Sequence, residues 1–465
     1  MIFESTICAP ATSGAGAISI IRLSGPASFE IADTVFFSQT NKRIAEMPAN
    51  SVHFGEIREG KEVLDEVLVS VFRSPHSYTG ENCLEISCHA SSYIQKRILE
   101  LLVEKGANLA GPGEFTQRAF LNGKMDLTQA EAVADLIASE NRASHRIAIN
   151  QMRGGFSREL SQLRNELLHF TSMIELELDF SEEDVEFANR ENLSLLIDSM
   201  LNIINKLIKS FKSGNVIKNG VPVAIIGKPN VGKSSLLNRL LNDDKAIVSE
   251  IAGTTRDSIE DTARIGDITF RFIDTAGIRE TADVIENLGI RKTYQKIEQS
   301  AIVLLLADAR DKADIIKESF QEIRKQIENQ DKQLILVLNK SDLSESARTP
   351  ELQALLDLKE NEQLVEISAS KDHNIDKLEQ ILIRCSELGN LDKDAVIVSN
   401  IRHFEALKHS SENLNRVKEG LKTGLPSDLL AQDLRQAIYF LGSITGEITT
   451  DEVLGNIFKN FCIGK

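Results

Sequence analysis

The chain has 465 residues with 69 Asp and Glu against 53 Lys and Arg, a net charge of −16 at pH 7, and is 42% hydrophobic and 26% charged. That length is too great for one core and implies about two or three domains, while the acidic excess argues against a protein that coats nucleic acid by bulk electrostatics. No apolar run reaches the about 18 residues of a membrane span, Glu4 stands where a secretory signal needs a basic region, and Cys8, Cys83, Cys88, Cys385 and Cys462 are scattered without C-x-x-C spacing, as expected of free thiols in a reducing cytoplasm.

Up to about residue 121 the pattern is mixed α+β, with strand-like runs at Ile18 to Leu23, Glu66 to Phe72 and Leu84 to Cys88 punctuated by Gly and Pro. Arg142, His145, Arg146, Arg153, Arg158 and Arg164 make a locally basic stretch. It has two readings, a nucleic-acid contact or a solvated helix face, and the usual behaviour of charge runs favours the second. From Leu160 the period is helical: Leu160, Leu163, Leu167, Phe170 and Ile174 form one apolar stripe. Glu182-Glu183-Asp184 with Glu186 marks a loop or helix start. A second stripe, Leu193, Leu196, Ile197, Met200, Ile204, Leu207, Ile208 and Phe211, is expected to stop at Gly214.

Between residues 221 and 385 five short segments follow in one order: Gly227-Lys228-Pro229-Asn230-Val231-Gly232-Lys233-Ser234, Gly253-Thr254-Thr255-Arg256-Asp257, Asp274-Thr275-Ala276-Gly277, Asn339-Lys340-Ser341-Asp342 and Ser368-Ala369-Ser370. The first follows the apolar run Val223 to Ile226 and leads into the helical pattern Ser235 to Leu241, the setting of a phosphate cradle. Its glycines let backbone N–H groups face phosphate oxygens, and the helix adds its positive end. Lys233 is then placed to neutralise the β and γ phosphates and Ser234 to hold Mg²⁺. Asp274 ends the run Ile268 to Ile273 and can reach the Mg²⁺ shell, with the Gly277 N–H sensing the γ-phosphate. Asp342, following the run Leu334 to Leu338, can accept the ring N–H and exocyclic amine of guanine, a pair that adenine lacks. Ser368-Ala369-Ser370 supplies backbone N–H to the guanine carbonyl. The sum is a guanine-nucleotide switch.

In many such switches a Gln after D-x-x-G orients the attacking water; here Ile278 stands there and cannot polarise water. The stretch Arg279 to Glu286 offers carboxylates instead; no arginine finger is evident in the chain, Arg256 of the GTTRD segment being the one residue left open for that role. Asn230, an oxygen ligand inside the phosphate loop, either holds a monovalent cation or shapes its loop. Beyond residue 385 the pattern is helical again: Phe404, Leu407 and Leu414, then Leu429 to Leu441 behind Pro426-Ser427-Asp428, then Val453 to Phe461 behind a Thr449-x-x-Glu452 capping box. Helices with single apolar faces need partners, so the helices flanking the nucleotide segment are expected to pack together, with that segment as an insertion.

Three strings lie outside any ordinary small GTPase: Gly113-Glu114-Phe115-Thr116-Gln117-Arg118-Ala119-Phe120-Leu121-Asn122-Gly123-Lys124, Asp126-Leu127-Thr128-Gln129-Ala130-Glu131-Ala132, and Phe461-Cys462-Ile463-Gly464-Lys465. With the nucleotide motifs, they make the chain resemble the tRNA modification GTPase MnmE (TrmE) family over essentially its whole length. The resemblance implies a multidomain fold: an α+β N-terminal folate-binding and dimerisation domain (1–121), an all-α helical domain (122–216 and 386–465) and an inserted Ras-like α/β P-loop GTPase domain (217–385). It implies K⁺-stimulated GTP hydrolysis in a cytoplasmic homodimer. It also implies a heterotetramer with the FAD-dependent protein MnmG (GidA), installing the carboxymethylaminomethyl group on the wobble uridine of certain tRNAs with formyl- or methylene-tetrahydrofolate as one-carbon donor.

Carried over by position, the resemblance implies that Asn230, Ser249, Ile251 and Thr254 surround K⁺, that Ser234 and Thr255 hold Mg²⁺, and that Glu286 is the general base acting through water. Lys233, Thr255 and Gly277 join it in the catalytic set. The GTP set comprises Asn230, Val231, Gly232, Lys233, Ser234 and Ser235; Ser249, Glu250, Ile251, Ala252, Gly253, Thr254 and Thr255; Asp274, Thr275, Ala276 and Gly277; Asn339, Lys340 and Asp342; and Ser368, Ala369 and Ser370. Folate falls to Arg22, Glu85, Lys124 and Lys465. One departure stands out: His89-Ala90-Ser91, where many relatives carry His-Gly-Gly. Cys462 is either a tail thiol with chemistry or, more simply, a residue shaping the folate pocket. Two other readings compete: a GTP-regulated ribosome-assembly or RNA-binding switch without modification chemistry, which gives a folate site no purpose, and a stand-alone folate-dependent transferase, which leaves the nucleotide segment unexplained.

Overall fold

A computed structural model describes every residue except 1–3, 13–15, 140, 180–189, 243–260, 274–296, 329, 331, 345–347, 387–395, 460 and 465. The chain divides into two compact units, Met1–Ala138 with Ala148–Leu201 and His409–Lys465, and Ser139–Ile147 with Asn202–Lys408.

In the first unit β1 (Ile7–Pro10), β2 (Ile18–Ser24), α1 (Ser28–Asp33), β3 (Phe36–Ser38), β4 (Ser51–Glu59), β5 (Glu62–Phe72), β6 (Cys83–His89), α2 (Ser92–Glu104) and β7 (Asn108–Leu109) follow one another. The sheet order is β3-β4-β5-β6-β2-β1-β7, antiparallel apart from the β1–β7 pair. Because strand side chains alternate, Ile21, Leu23, Val67, Val69, Val71, Leu84 and Ile86 fall on one face, where they pack with Phe29 and Ile31 of α1 and with Ile98, Leu101 and Leu102 of α2. The intervening residues Arg22 and Glu85 fall on the other face.

Helices complete this unit: α3 (Glu114–Leu121), α4 (Leu127–Ile137), α5 (Arg142–Met152), α6 (Gly155–Asp179) and α7 (Arg190–Asn219), of which α5 and α7 each have residues in both units. The Asp126-Leu127-Thr128-Gln129 string is a capping box that starts α4: the Gln129 N–H donates to Asp126 Oδ1 and the Asp126 N–H to Gln129 Oε1, both at 2.9 Å. The stripe of α6 buries Leu160, Leu163, Leu167 and Ile174, while Phe170 is half-buried.

The second unit holds β8 (Val221–Gly227), α8 (Lys233–Asn242), β9 (Asp261–Ile265), β10 (Ile268–Phe272), β11 (Ile302–Asp308), α9 (Ala313–Ile327), β12 (Gln333–Asn339), α10 (Thr349–Leu356), β13 (Glu362–Glu366) and α11 (Ile375–Cys385). Its sheet runs β13-β12-β11-β8-β10-β9, parallel except for the β9 edge. Helices cover both faces: Leu236, Leu240, Leu378 and Leu382 on one, Ile316, Phe320, Ile323 and Leu352 on the other. The uninterrupted apolar runs of β8, β11 and β12 follow from that double burial, and the fold is a Ras-like P-loop α/β domain. Three helices end the chain: α12 (Ile401–Thr423), which spans both units, then α13 (Ser427–Thr445) and α14 (Asp451–Phe458) in the first.

Two boundaries differ from expectation. α7 does not stop at Gly214 but continues to Asn219. A Cβ at Gly214 would lie 2.1 Å from the Val398 carbonyl oxygen, and the Val398 N–H donates to Ser210 Oγ at 3.0 Å. The glycine therefore lets the chain leaving the nucleotide unit cross the helix, a close approach rather than a termination. The last helix is capped one residue later than Thr449: Thr450 Oγ1 accepts the Val453 N–H at 3.3 Å, and the helix ends at Phe458 rather than Phe461. The expectation for Glu182-Glu183-Asp184 with Glu186 lies outside the described residues.

Candidate functional site

The C-terminal ends of β8, β12 and β13 put the phosphate loop, the Asn339–Asp342 segment and the Ser368–Ser370 segment on one edge of the sheet. Gly227 (φ 148°) ends β8, where a Cβ would lie 2.4 Å from the Leu306 carbonyl oxygen. Gly232 (φ 98°) immediately precedes α8, where a Cβ would lie 2.2 Å from Asn339 Nδ2. Only glycine fits either place. Lys233 Nζ donates to the carbonyls of Gly227 at 2.8 Å and Lys228 at 2.7 Å, so its ammonium is held over the loop. Ser234 is the second residue of α8 and Ser235 is exposed.

The three segments are stitched together by Asn339 and its neighbours. Buried Asn339 donates from Nδ2 to the Val231 carbonyl at 2.8 Å and accepts the Ala369 N–H on Oδ1 at 3.0 Å. Lys340 Nζ donates to the Asn230 carbonyl at 2.7 Å. Asp342 is exposed and accepts Ser368 Oγ–H on Oδ1 at 2.6 Å, with Ser370 Oγ 3.2 Å from Ser368 Oγ. An outward carboxylate fixed by one hydroxyl suits a ligand edge with two N–H donors. Asn339 and Lys340 thus work as struts, which motif reading alone does not reveal.

Ser249, Glu250, Ile251, Ala252, Gly253, Thr254, Thr255, Asp274, Thr275, Ala276, Gly277 and Glu286 lie outside the described residues, as do Arg256, Ile278 and Lys465. Of the donors expected around the metals, Ser234 stands at the helix start, and exposed Asn230 adopts a left-handed conformation (φ 62°). Their oxygens are the donor type hard cations take.

A second cluster forms on the outward face of the first unit's sheet. Arg22 and Glu85 are cross-strand partners, and Arg22 Nε and Nη2 donate to Glu85 Oε1 at 3.1 and 2.8 Å. Arg22 Nη1 donates to the Gly464 carbonyl at 3.3 Å, which brings the C-terminal tail to the sheet. The guanidinium lies 5.1 Å from the Tyr78 ring centroid and 5.6 Å from that of Phe115, within cation–π range. Exposed Lys124 instead donates to the Pro75 carbonyl at 2.9 Å, and no contact among the described residues joins it to Arg22 or Glu85. Cys462 exposes its side chain, and its carbonyl accepts the Gly113 N–H at 3.3 Å.

Sequence reading missed several supports. Arg118, fully buried, pairs with Glu114 at 2.8 Å and Glu81 at 3.3 Å beside this cluster. Buried Asp65 accepts the His89 backbone N–H at 2.8 Å and lies 2.7 Å from its Nδ1. Asp308 ends β11 as Asn339 ends β12, and a polar residue closing an apolar strand was the available signal. The Arg310 guanidinium, helped by Lys340 and opposed by burial, holds the Asp308 carboxyl well below the usual carboxylate range. In the basic stretch, Arg142, His145, Arg153 and Arg158 are exposed, but Arg164 is ion-paired with Glu447 and spent on packing.

Two family models match the chain: the TrmE N-terminus of GTP-binding proteins over residues 6–124 and the MnmE helical domain over residues 127–462. Proteins described as tRNA modification GTPase MnmE are similar along the full length. That of Bacteroides thetaiotaomicron is 55% identical over 99% of this chain and 100% of its own. That of Flavobacterium psychrophilum is 53% identical over 100% of both, and that of Bacteroides fragilis 54% over 99% and 100%.

Proposed function

The chain belongs to the tRNA modification GTPase MnmE family, and on that premise we propose that it hydrolyses GTP to drive modification of the wobble uridine of certain tRNAs. The observation that carries this reading is the three-way knot of Asn339, which ties the phosphate loop at Val231 to the Ser368–Ser370 segment at Ala369 and leaves Asp342 facing outward. Lys233 binds the β and γ phosphates in place of the carbonyls it now caps, Asp342 reads guanine, and the Ser368–Ser370 backbone receives the guanine carbonyl. Mg²⁺ on Ser234 and Thr255, and K⁺ on Asn230, Ser249, Ile251 and Thr254, supply positive charge to the phosphates. Glu286 orients the attacking water and Gly277 senses the γ-phosphate.

The finer assignment follows the family. Arg22, Glu85, Lys124 and Lys465 bind a tetrahydrofolate one-carbon donor, with Tyr78 and Phe115 offering aromatic faces beside Arg22. The FAD-dependent protein MnmG shares the chemistry that installs the carboxymethylaminomethyl group. The domains are 1–121, 122–216 with 386–465, and 217–385, in a cytoplasmic homodimer. Support for dimerisation comes from the outward sheet face, where the cross-strand partners Phe54 and Leu68 are 41% and 46% exposed, an apolar surface that suits a second copy. Among the described residues no helix is long and apolar enough to cross a membrane.

The test is GTP turnover by the purified chain at fixed ionic strength. Turnover that rises sharply when K⁺ replaces Na⁺ is expected. Equal rates remove the K⁺ assignment, and no turnover in either salt removes the GTPase. Mass analysis of wobble uridines from cells lacking the chain tests the tRNA assignment, and titration with a reduced folate tests the Arg22 site.

A further inference from the structure

Asp308 and Asn339 are direct partners in the parallel β11–β12 register. The Asp308 carboxylate is nearly buried, with 11% of its side chain exposed. Oδ1 accepts the backbone N–H and Nε–H of Arg310 at 3.0 and 2.9 Å, and Oδ2 accepts Arg310 Nη2–H at 2.7 Å. The same Oδ2 lies 2.9 Å from Lys340 Nζ. That ammonium also holds the Asn230 carbonyl at 2.7 Å. Lys340 and Asn230 both adopt left-handed backbone, with φ of 64° and 62°, a conformation non-glycine residues keep only when their surroundings enforce it. A single charged hydrogen-bond relay therefore joins a strand end to two strained loop positions, one in the base-reading segment and one in the phosphate loop.

We propose that Asp308 is a positioning residue for nucleotide binding: it fixes the Lys340 ammonium so that Lys340 tethers the phosphate loop at Asn230, holding the base-reading and phosphate-binding loops in one arrangement before the ligand arrives. This rests on the guanine-nucleotide reading of the site. An asparagine at 308 keeps the size and can still accept from Arg310, but removes the charge that attracts Lys340, so the tether weakens without a cavity. A glutamate restores the charge.

The experiment compares Asp308→Asn, Asp308→Glu, Lys340→Met and the Asp308→Asn/Lys340→Met double variant of the full chain, by titration of fluorescent GDP and steady-state GTP turnover. Asp308→Asn is expected to weaken GDP binding about 10-fold, the scale of a lost charged hydrogen bond, with the rise in KM exceeding any fall in kcat. The melting temperature of the nucleotide-free protein should hardly move. Asp308→Glu should recover most of the affinity, and the double variant should be no weaker than Lys340→Met, since both changes cut one tether. Parental affinity in Asp308→Asn, or losses that multiply in the double variant, overturns the proposal. A parent chain that binds no GDP removes the guanine reading itself and the proposal with it.

Discussion

The nucleotide site and the Arg22 cluster are built in opposite ways. Each of the three described nucleotide segments is contiguous and sits where a parallel strand ends, so a few adjacent residues carry both its shape and its chemistry. The Arg22 cluster collects β2, β6, the Tyr78 loop, α3 and a carbonyl 442 residues further along the chain. No short string contains it. Strained loops pinned by side chains set the first site; sheet register and a returning tail set the second. If this contrast is right, damage to one should leave the ligand of the other alone.

The largest expected effect comes from Arg118→Met. It leaves the Glu81 and Glu114 carboxylates without their buried partner and should cost about 3–5 kcal/mol in the sheet unit's unfolding transition. Calorimetric GDP affinity should stay within twofold or so of the parent; a 10-fold loss would break the separation. Next comes Asp342→Asn. Losing charge-assisted bonds to two guanine N–H groups should cost about 3 kcal/mol, roughly 100-fold in GTP affinity with Mg²⁺ present, and a xanthine nucleotide should recover part of it. Unchanged GTP affinity would remove the base-reading role. Smaller again is deletion of residues 461–465, which takes away the carbonyl that meets Arg22. Reduced-folate affinity should fall about 10-fold, worth about 1.4 kcal/mol, while GDP binding holds; intact folate binding would show that the tail is incidental.

The same contrast explains what could be read from sequence. Runs ending in Asn339 or preceding Lys228 were legible because double burial makes a strand continuously apolar and the motif marks its end. Ile18 to Leu23, Glu66 to Phe72 and Leu84 to Cys88 announced β2, β5 and β6, whereas β7 has only Asn108 and Leu109 and carries no periodic signal. Gly214 misled because a glycine at a helix end and a glycine under a crossing chain look alike until Val398 is placed above it. Arg22 and Glu85 came from family resemblance; their pairing depends on the β2–β6 register, which a one-residue slip would undo. Tyr78 and Asp65 had no local signal because their partners are remote in sequence; Arg118 meets Glu114 one helical turn away, but its pairing with Glu81, 37 residues off, and its full burial carry no local mark. Asp308 had one, a carboxylate closing an apolar strand, but no motif claimed it.

The smallest effect separates the two regions by pH. Cys83 begins β6, two residues before Glu85, and burial pushes its thiol up to about 12. In the unfolded chain a cysteine titrates near 8.5. For a thiol with a raised native value the unfolded state ionises first. Its contribution to stability is therefore intact below about pH 8 and drains as pH rises through the unfolded value. From pH 7 to 9 this one group should cost the sheet unit about 0.8 kcal/mol. Buried Cys8 and Cys88, also pushed up by burial, lose stability with pH in the same way, so urea unfolding at both pH values, followed in the transition that Arg118→Met displaces, should show a pH-dependent loss smaller by that increment in Cys83→Ala than in the parent, whatever constant offset the substitution adds. Cys385 of the nucleotide unit is only half-buried and has no comparable burial to lose. An equal pH slope in parent and Cys83→Ala would mean that β6, and with it the Glu85 partner of Arg22, is open to solvent in the native state.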